Sequence, residues 1–135
     1  MYNTILIPVD FAHDEQSIQS LQKAEKLLGD NEIIALHVVE EVPEYIMAQL
    51  PDDFRFDKVE QATKDLKELV EKSGINARVE VRKGGSYSCI LDSAKENKVN
   101  LIIINSHRPE FQDYLLGSTA AKVVRHATCA VLVER

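Results

Sequence analysis

The chain has 135 residues, 44% of them hydrophobic and 28% charged, and carries a formal charge of −6. That length suits a single domain, here residues 1–135, able to bury a core without staples or metals, and the hydrophobic content argues against extended disorder. The negative balance, with Lys and Arg interleaved among Asp and Glu, argues against nucleic acid or anionic membrane as partner, and Cys89 and Cys129, without CxxC spacing, signal neither a zinc site nor a disulfide framework.

Met1 leads straight into strand-like residues, with no basic leader and no long apolar stretch, so the protein is expected in the cytoplasm. The first strand, Ile5 to Val9, ends in Pro8-Val9-Asp10. Ile18, Leu21, Ala24 and Leu28 then share one helical face, with Gly29 expected to stop that helix. The second strand is Ile33 to Val39. Glu40 to Asp53, with Pro43, Tyr45, Ile46, Met47 and Pro51, reads as a long irregular connection, apolar enough for a lid or a contact surface. Val59, Ala62, Leu66, Leu69 and Val70 line a second helix closed by Gly74. In the third strand, Ala77 to Arg82, Val79 and Val81 oppose Arg78, Glu80 and Arg82, a half-wet pattern that belongs near a sheet edge. A third helix follows Gly84-Gly85, with Ser86 as its cap and Ile90, Leu91 and Ala94 inward. The fourth strand, Leu101 to Ile104, runs into Asn105-Ser106-His107. A fourth helix opens near Ser118, and Ala130 to Val133 form the last strand.

This βαβαβαβαβ alternation predicts an α/β fold: a mainly parallel sheet with helices on both faces and right-handed crossovers. Such sheets hold ligands beyond the carboxyl ends of strands where the winding reverses. If strands one and four are neighbours, Asp10 and Asn105 flank one crevice and the start of the Gly117 helix closes its side. Gly117-Ser118-Thr119 suits phosphate, because amides at a helix start are unpaired, glycine permits close approach and hydroxyls add bonds; Arg108 brings a forked charge. The plainer reading is that Ser118 caps the helix. Asp10 suits ribose hydroxyls or magnesium, or else an N-cap; Val9 and Val38 suit the faces of a base, or else simple core. Ser106 and His107 are adjacent on an extended segment, so their side chains diverge and do not form a hydrolase pair. A phospho-accepting receiver domain shares the element order but needs a phosphorylatable carboxylate after strand three, where Lys83 and Gly84 stand.

ILIPVDF near the start, ALHVV in strand two, IIINSHRP at strand four and LLGSTAAKVVRHATCAVLV at the end resemble, over the whole chain, the universal stress protein family. The resemblance implies a five-stranded parallel sheet of order 3-2-1-4-5 with ATP in the crevice described above. The signature of the ATP-binding branch reads Gly, two residues, Gly, nine residues, then Gly followed by Ser or Thr. Here Asn105 and Arg108 stand at the first two glycines, Gly117-Ser118 match the third, and the last spacing is eight. The run Ser-His-Arg-Pro followed by Leu-Leu-Gly-Ser is similar to the small F/G-type bacterial branch. By resemblance, Pro8, Val9, Asp10, Val38 and Ile104 meet adenine and ribose. Asn105, Ser106, Arg108, Gly117, Ser118 and Thr119 meet ribose and phosphates, and His107 is counted with them as the nearest group to an attacking water. The ligand implied is ATP, or AMP or ADP, with magnesium at Asp10, held as a structural or signalling ligand without rapid turnover. The apolar strand 130–133 points to a homodimer, with a homotetramer as the larger alternative. A nucleotide-free interaction protein of the same fold, its pocket blocked by Asn105 and Arg108, is the rival expectation.

Overall fold

A computed structural model describes residues 2–41, 43–49, 58–106 and 117–135. Five strands, β1 (Tyr2–Pro8), β2 (Leu28–Val39), β3 (Arg78–Lys83), β4 (Leu101–Asn105) and β5 (Ala130–Glu134), form one sheet in the order β3-β2-β1-β4-β5. Every pairing is parallel. Helices α1 (Asp14–Leu27), α3 (Lys58–Ser73), α4 (Ser86–Glu96) and α5 (Ser118–His126) supply the crossovers.

The uninterrupted apolar runs of the central strands follow from this layering. Side chains alternate across a strand, and with helices on both faces each alternate set must meet apolar neighbours. Ile5, Ile7, Ile33, Ala35, Leu101 and Ile103 pack with Leu21 and Ala24 of α1 and with Leu66, Leu69 and Val70 of α3. Their alternates Leu6, Ile34, Leu36, Ile102 and Ile104 pack with Ile90 of α4 and with Ala120 and Val123 of α5. The register Ile5↔Ile33 and Ile5↔Leu101 brings like-facing residues side by side.

Several local expectations are revised. Helix α1 is ended by Leu28, whose extended backbone (φ −72°, ψ 135°) already belongs to β2, so Gly29 lies in a strand and not at a helix stop. Gly74 does end α3 in the left-handed region, at φ 73°. The N-cap of α4 is Gly85, not Ser86. On that helix Cys89 and Ser93 are buried with Ile90, while Leu91 is half-buried. The connection expected to be irregular contains a one-turn helix, α2 (Glu44–Met47), and 42 and 50–53 lie outside the described residues. Cys129 is half-buried, whereas Cys89 is buried.

Both edges are now identified. β3 is guarded by charge: Arg78 pairs with Glu32 and Glu80, and Arg82 with Glu80 and Glu96. β5 carries half-buried Val131, Leu132 and Val133 on the opposite edge.

Candidate functional site

The chain leaves β1 to reach β2 on one side and, later, β4 on the other. At this reversal the carboxyl ends of β1 and β4 diverge and leave a cleft of about 310 Å³. Pro8, Val9 and Asp10 enter it from β1, Leu36, His37, Val38 and Glu40 from the end of β2, and Ile104 and Asn105 from β4. Ser86 and Ile90 of α4 and Thr119 of α5 complete the wall. The lining is aliphatic on one side, through Leu36, Val38, Ile90 and Ile104, with two carboxylates, two hydroxyls and an amide around it. That is the usual division of a ligand pocket between contact area and a few orienting polar groups.

Backbone geometry fixes Asp10. The Val9 amide donates to the Leu36 carbonyl at 2.7 Å, and the Val9 carbonyl lies 2.8 Å from His37 Nδ1. Asp10 Oδ1 accepts from the Ala12 amide at 2.9 Å, while the Asp10 carbonyl accepts from the His13 amide at 3.0 Å. The capping role therefore exists, at the short 3-10 turn Phe11–His13. It uses one of the four or so acceptor directions of a carboxylate and leaves an exposed acceptor on the cleft.

Asn105 stands where the signature has its first glycine, and it lines the cleft with its amide tied back to α1. Its Nδ2 donates to Ser20 Oγ on α1 at 3.2 Å. Ser106 ties the neighbouring segments together: its amide donates to the Glu134 carbonyl at 2.8 Å, and its hydroxyl accepts from the Gly117 amide at 3.1 Å. Ser106, not Ser118, thus supplies the side-chain oxygen at the start of α5, and Ser118 is the first helical residue. Gly117 has φ −59° and ψ 155°, and a Cβ placed on it would meet nothing within 4 Å.

The structure therefore gathers Pro8, Val9, Asp10, Val38, Ile104, Asn105 and Thr119 around one cleft, with Ser106, Gly117 and Ser118 at the adjoining helix start. His107 and Arg108 lie outside the described residues. Leu36, His37, Glu40, Ser86 and Ile90 are lining residues that sequence reasoning did not assign. For the β2 residues the available signal was adjacency: the strand beside β1 must end on the same cleft. Among the described residues no group of three or more His, Cys, Asp or Glu is placed to hold a metal ion, and no helix is long and apolar enough to cross a membrane. A larger hollow of about 520 Å³ lies between Phe11, Asp14 and the Asp65 to Lys72 side of α3. Its rim is mostly charged and almost without aliphatic side chains, so the cleft at the reversal is the better ligand site.

A model of the universal stress protein family matches residues 1–135. The chain belongs to the universal stress protein family. Among curated relatives, universal stress protein G of Salmonella typhimurium is 32% identical over 142 residues, covering all of both chains. Among solved structures, the protein MJ0577, a test case of structural genomics, superposes with a TM-score of 0.75 at 26% identity, covering 98% of this chain and 95% of that one. Two more distant structures share the fold of this universal stress protein. One, a universal stress protein in complex with cAMP, has a TM-score of 0.67 at 16% identity, covering 99% and 97% of the two chains. The other, from Archaeoglobus fulgidus in complex with dAMP, has a TM-score of 0.65 at 17% identity, covering 99% and 98%.

Proposed function

We propose that this universal stress protein binds ATP at the β1–β4 cleft and keeps it as a structural or signalling ligand. The observation that carries the reading is the joining, at one reversal point, of an aliphatic slot, the Asp10 carboxylate and the glycine-led start of α5. Leu36, Val38, Ile90 and Ile104 offer the apolar contact a purine needs, Asp10 accepts from ribose hydroxyls, and the α5 amides with Ser118 and Thr119 face phosphate. The cAMP and dAMP complexes of two structures of this fold support an adenine nucleotide as the ligand class. The cleft is at the lower end of the roughly 300–1,000 Å³ range of ligand pockets, enough for the base and sugar. The triphosphate would run along the rim of α5. Asp10 is a lone carboxylate, which suits magnesium only when phosphate oxygens complete the shell.

Slow turnover is part of the proposal. Hydrolysis needs a group placed to orient water beside the phosphates, and His107, the candidate that the sequence offers for it, lies outside the described residues. Calorimetric titration with ATP and magnesium tests the reading. Micromolar binding, lost in Ser118→Tyr and weakened in Asp10→Ala, is expected. Flat heats from folded protein would refute it and favour a nucleotide-free interaction protein. Turnover of roughly 1 per second or faster would overturn the ligand role.

We further propose a cytoplasmic homodimer joined along β5, whose half-buried Val131, Leu132 and Val133 form an uncovered edge. Light scattering should report a dimer that Val131→Lys dissociates. A strict monomer at high concentration would refute it.

A further inference from the structure

His37 is a half-buried imidazole at the end of β2 that neither the motif nor the ligand chemistry above employs. Its surroundings give it a definite task. β1 ends at Pro8, and the next residue, Val9, has both backbone groups tied to β2: its amide to the Leu36 carbonyl and its carbonyl to His37 Nδ1 at 2.8 Å. A carbonyl only accepts, so this contact makes Nδ1 the protonated nitrogen. The other side of the ring stacks on Phe11, with centroids 4.2 Å apart and planes 30° from parallel. His37 therefore grips residues 9 and 11, the two flanks of Asp10.

We propose that His37 is a positioning residue for ribose recognition: by holding Val9 through a hydrogen bond and Phe11 through a stack, it sets the Asp10 carboxylate to accept from a sugar diol. The inference rests on the adenine-nucleotide reading of the cleft and deepens it. Asp10 itself is exposed, and the bond its carboxylate accepts from the Ala12 amide lies within the same short turn. The Val9 amide and the burial of Val9 fix the start of the turn, and the imidazole adds a second tie at the Val9 carbonyl and a stack on Phe11 beyond Asp10. Held on both flanks, the carboxylate keeps the preorganisation that makes hydrogen bonding to a ligand selective.

Two substitutions separate the two halves of the clamp. In His37→Asn the side-chain amide nitrogen takes the place of Nδ1 and the stack is removed. In His37→Phe the stack is retained and the donor is removed. The measurement is affinity for ATP against 2′,3′-dideoxy-ATP, with melting curves to confirm folding. Wild type should prefer ATP by about tenfold or more, the worth of hydrogen bonds to a charged acceptor. His37→Asn should keep most of that ratio. His37→Phe should bring it near unity by weakening ATP alone. Equal losses for both nucleotides would reduce His37 to a merely structural residue, and an unchanged ratio in His37→Phe would overturn the inference. Failure of wild type to bind either nucleotide sinks the adenine-nucleotide reading instead. In that event nitrogen NMR of the His37 ring, recorded well above the ordinary histidine range, still decides the clamp. A proton on Nδ1 is expected, and one on Nε2 alone refutes it.

Discussion

Gly117→Ala separates a glycine kept for the fold from a glycine kept for a ligand. The backbone there, φ −59° and ψ 155°, is open to any residue, and the added methyl would meet no protein atom within 4 Å. On stability two small terms oppose each other. Alanine is a poorer N-cap than glycine by up to about 1 kcal/mol, and it restricts the unfolded chain in a way that stabilises by about 0.4–1 kcal/mol. Their near cancellation predicts a melting shift within about 5 °C. Binding should respond far more. A phosphate oxygen accepting from this helix start sits about 2.9 Å from an amide nitrogen, whereas a methyl carbon demands about 3.5 Å. The anion is pushed out of bonding distance, and losing one charge-assisted bond costs about 1.5–3 kcal/mol, or a 10- to 150-fold rise in Kd for ATP. Adenosine, which lacks phosphate, should bind the variant as it binds wild type. Titration calorimetry reads both ligands. An unchanged ATP affinity, or parallel losses for ATP and adenosine, would refute the placement of phosphate at Gly117.

Asn105→Gly restores the first signature glycine but deletes the bond to buried Ser20, so stability should fall by about 1–2 kcal/mol in urea melts. ATP affinity should change less than about threefold, because the native amide already points at Ser20; a gain of ten times or more would show that Asn105 obstructs the site. Leu66→Ala, at a fully buried position between α3 and the sheet, should cost about 2–5 kcal/mol without altering ATP affinity. A change below 1 kcal/mol, roughly, would contradict its burial. Burial raises the thiols of both Cys89 and Cys129 above their ordinary range. The folded protein then holds these protons more tightly than the unfolded chain does, so stability is lost as pH rises through the unfolded thiol value near 8.5. Denaturant midpoints between about pH 7 and 10 should fall further for wild type than for a Cys89→Ala, Cys129→Ala double variant, and equal slopes would refute the attribution.

The alternation of elements was legible in the residues because its signals are local. β-branched runs such as Ile33 to Val39 have strand length, and the spacing of Ala62, Leu66, Leu69 and Val70 is helical. Strand β3 announced its edge position by alternating valine with charge, and it lies there. Cap details were less legible. Extended Leu28 ends α1 before Gly29 is reached, and the helix start where Ser118 was expected as cap has Gly117 in that place, its amide donating to Ser106, eleven positions upstream of it. A cap is a hydrogen bond in space, and composition names candidates without saying which oxygen arrives.

By itself the sequence determined the layered α/β plan, the strand ends at which the candidate cleft lies, and the family. The order 3-2-1-4-5, which sets β1 beside β4, was implied by the family resemblance; only the tertiary structure decided that Asn105 turns toward Ser20 and that His37 reaches the Val9 carbonyl. The physical reason is range. Helical and strand periodicity is written into residues a few places apart, whereas a cleft depends on groups from distant segments meeting within about 3 Å, a relation set by how the whole sheet packs.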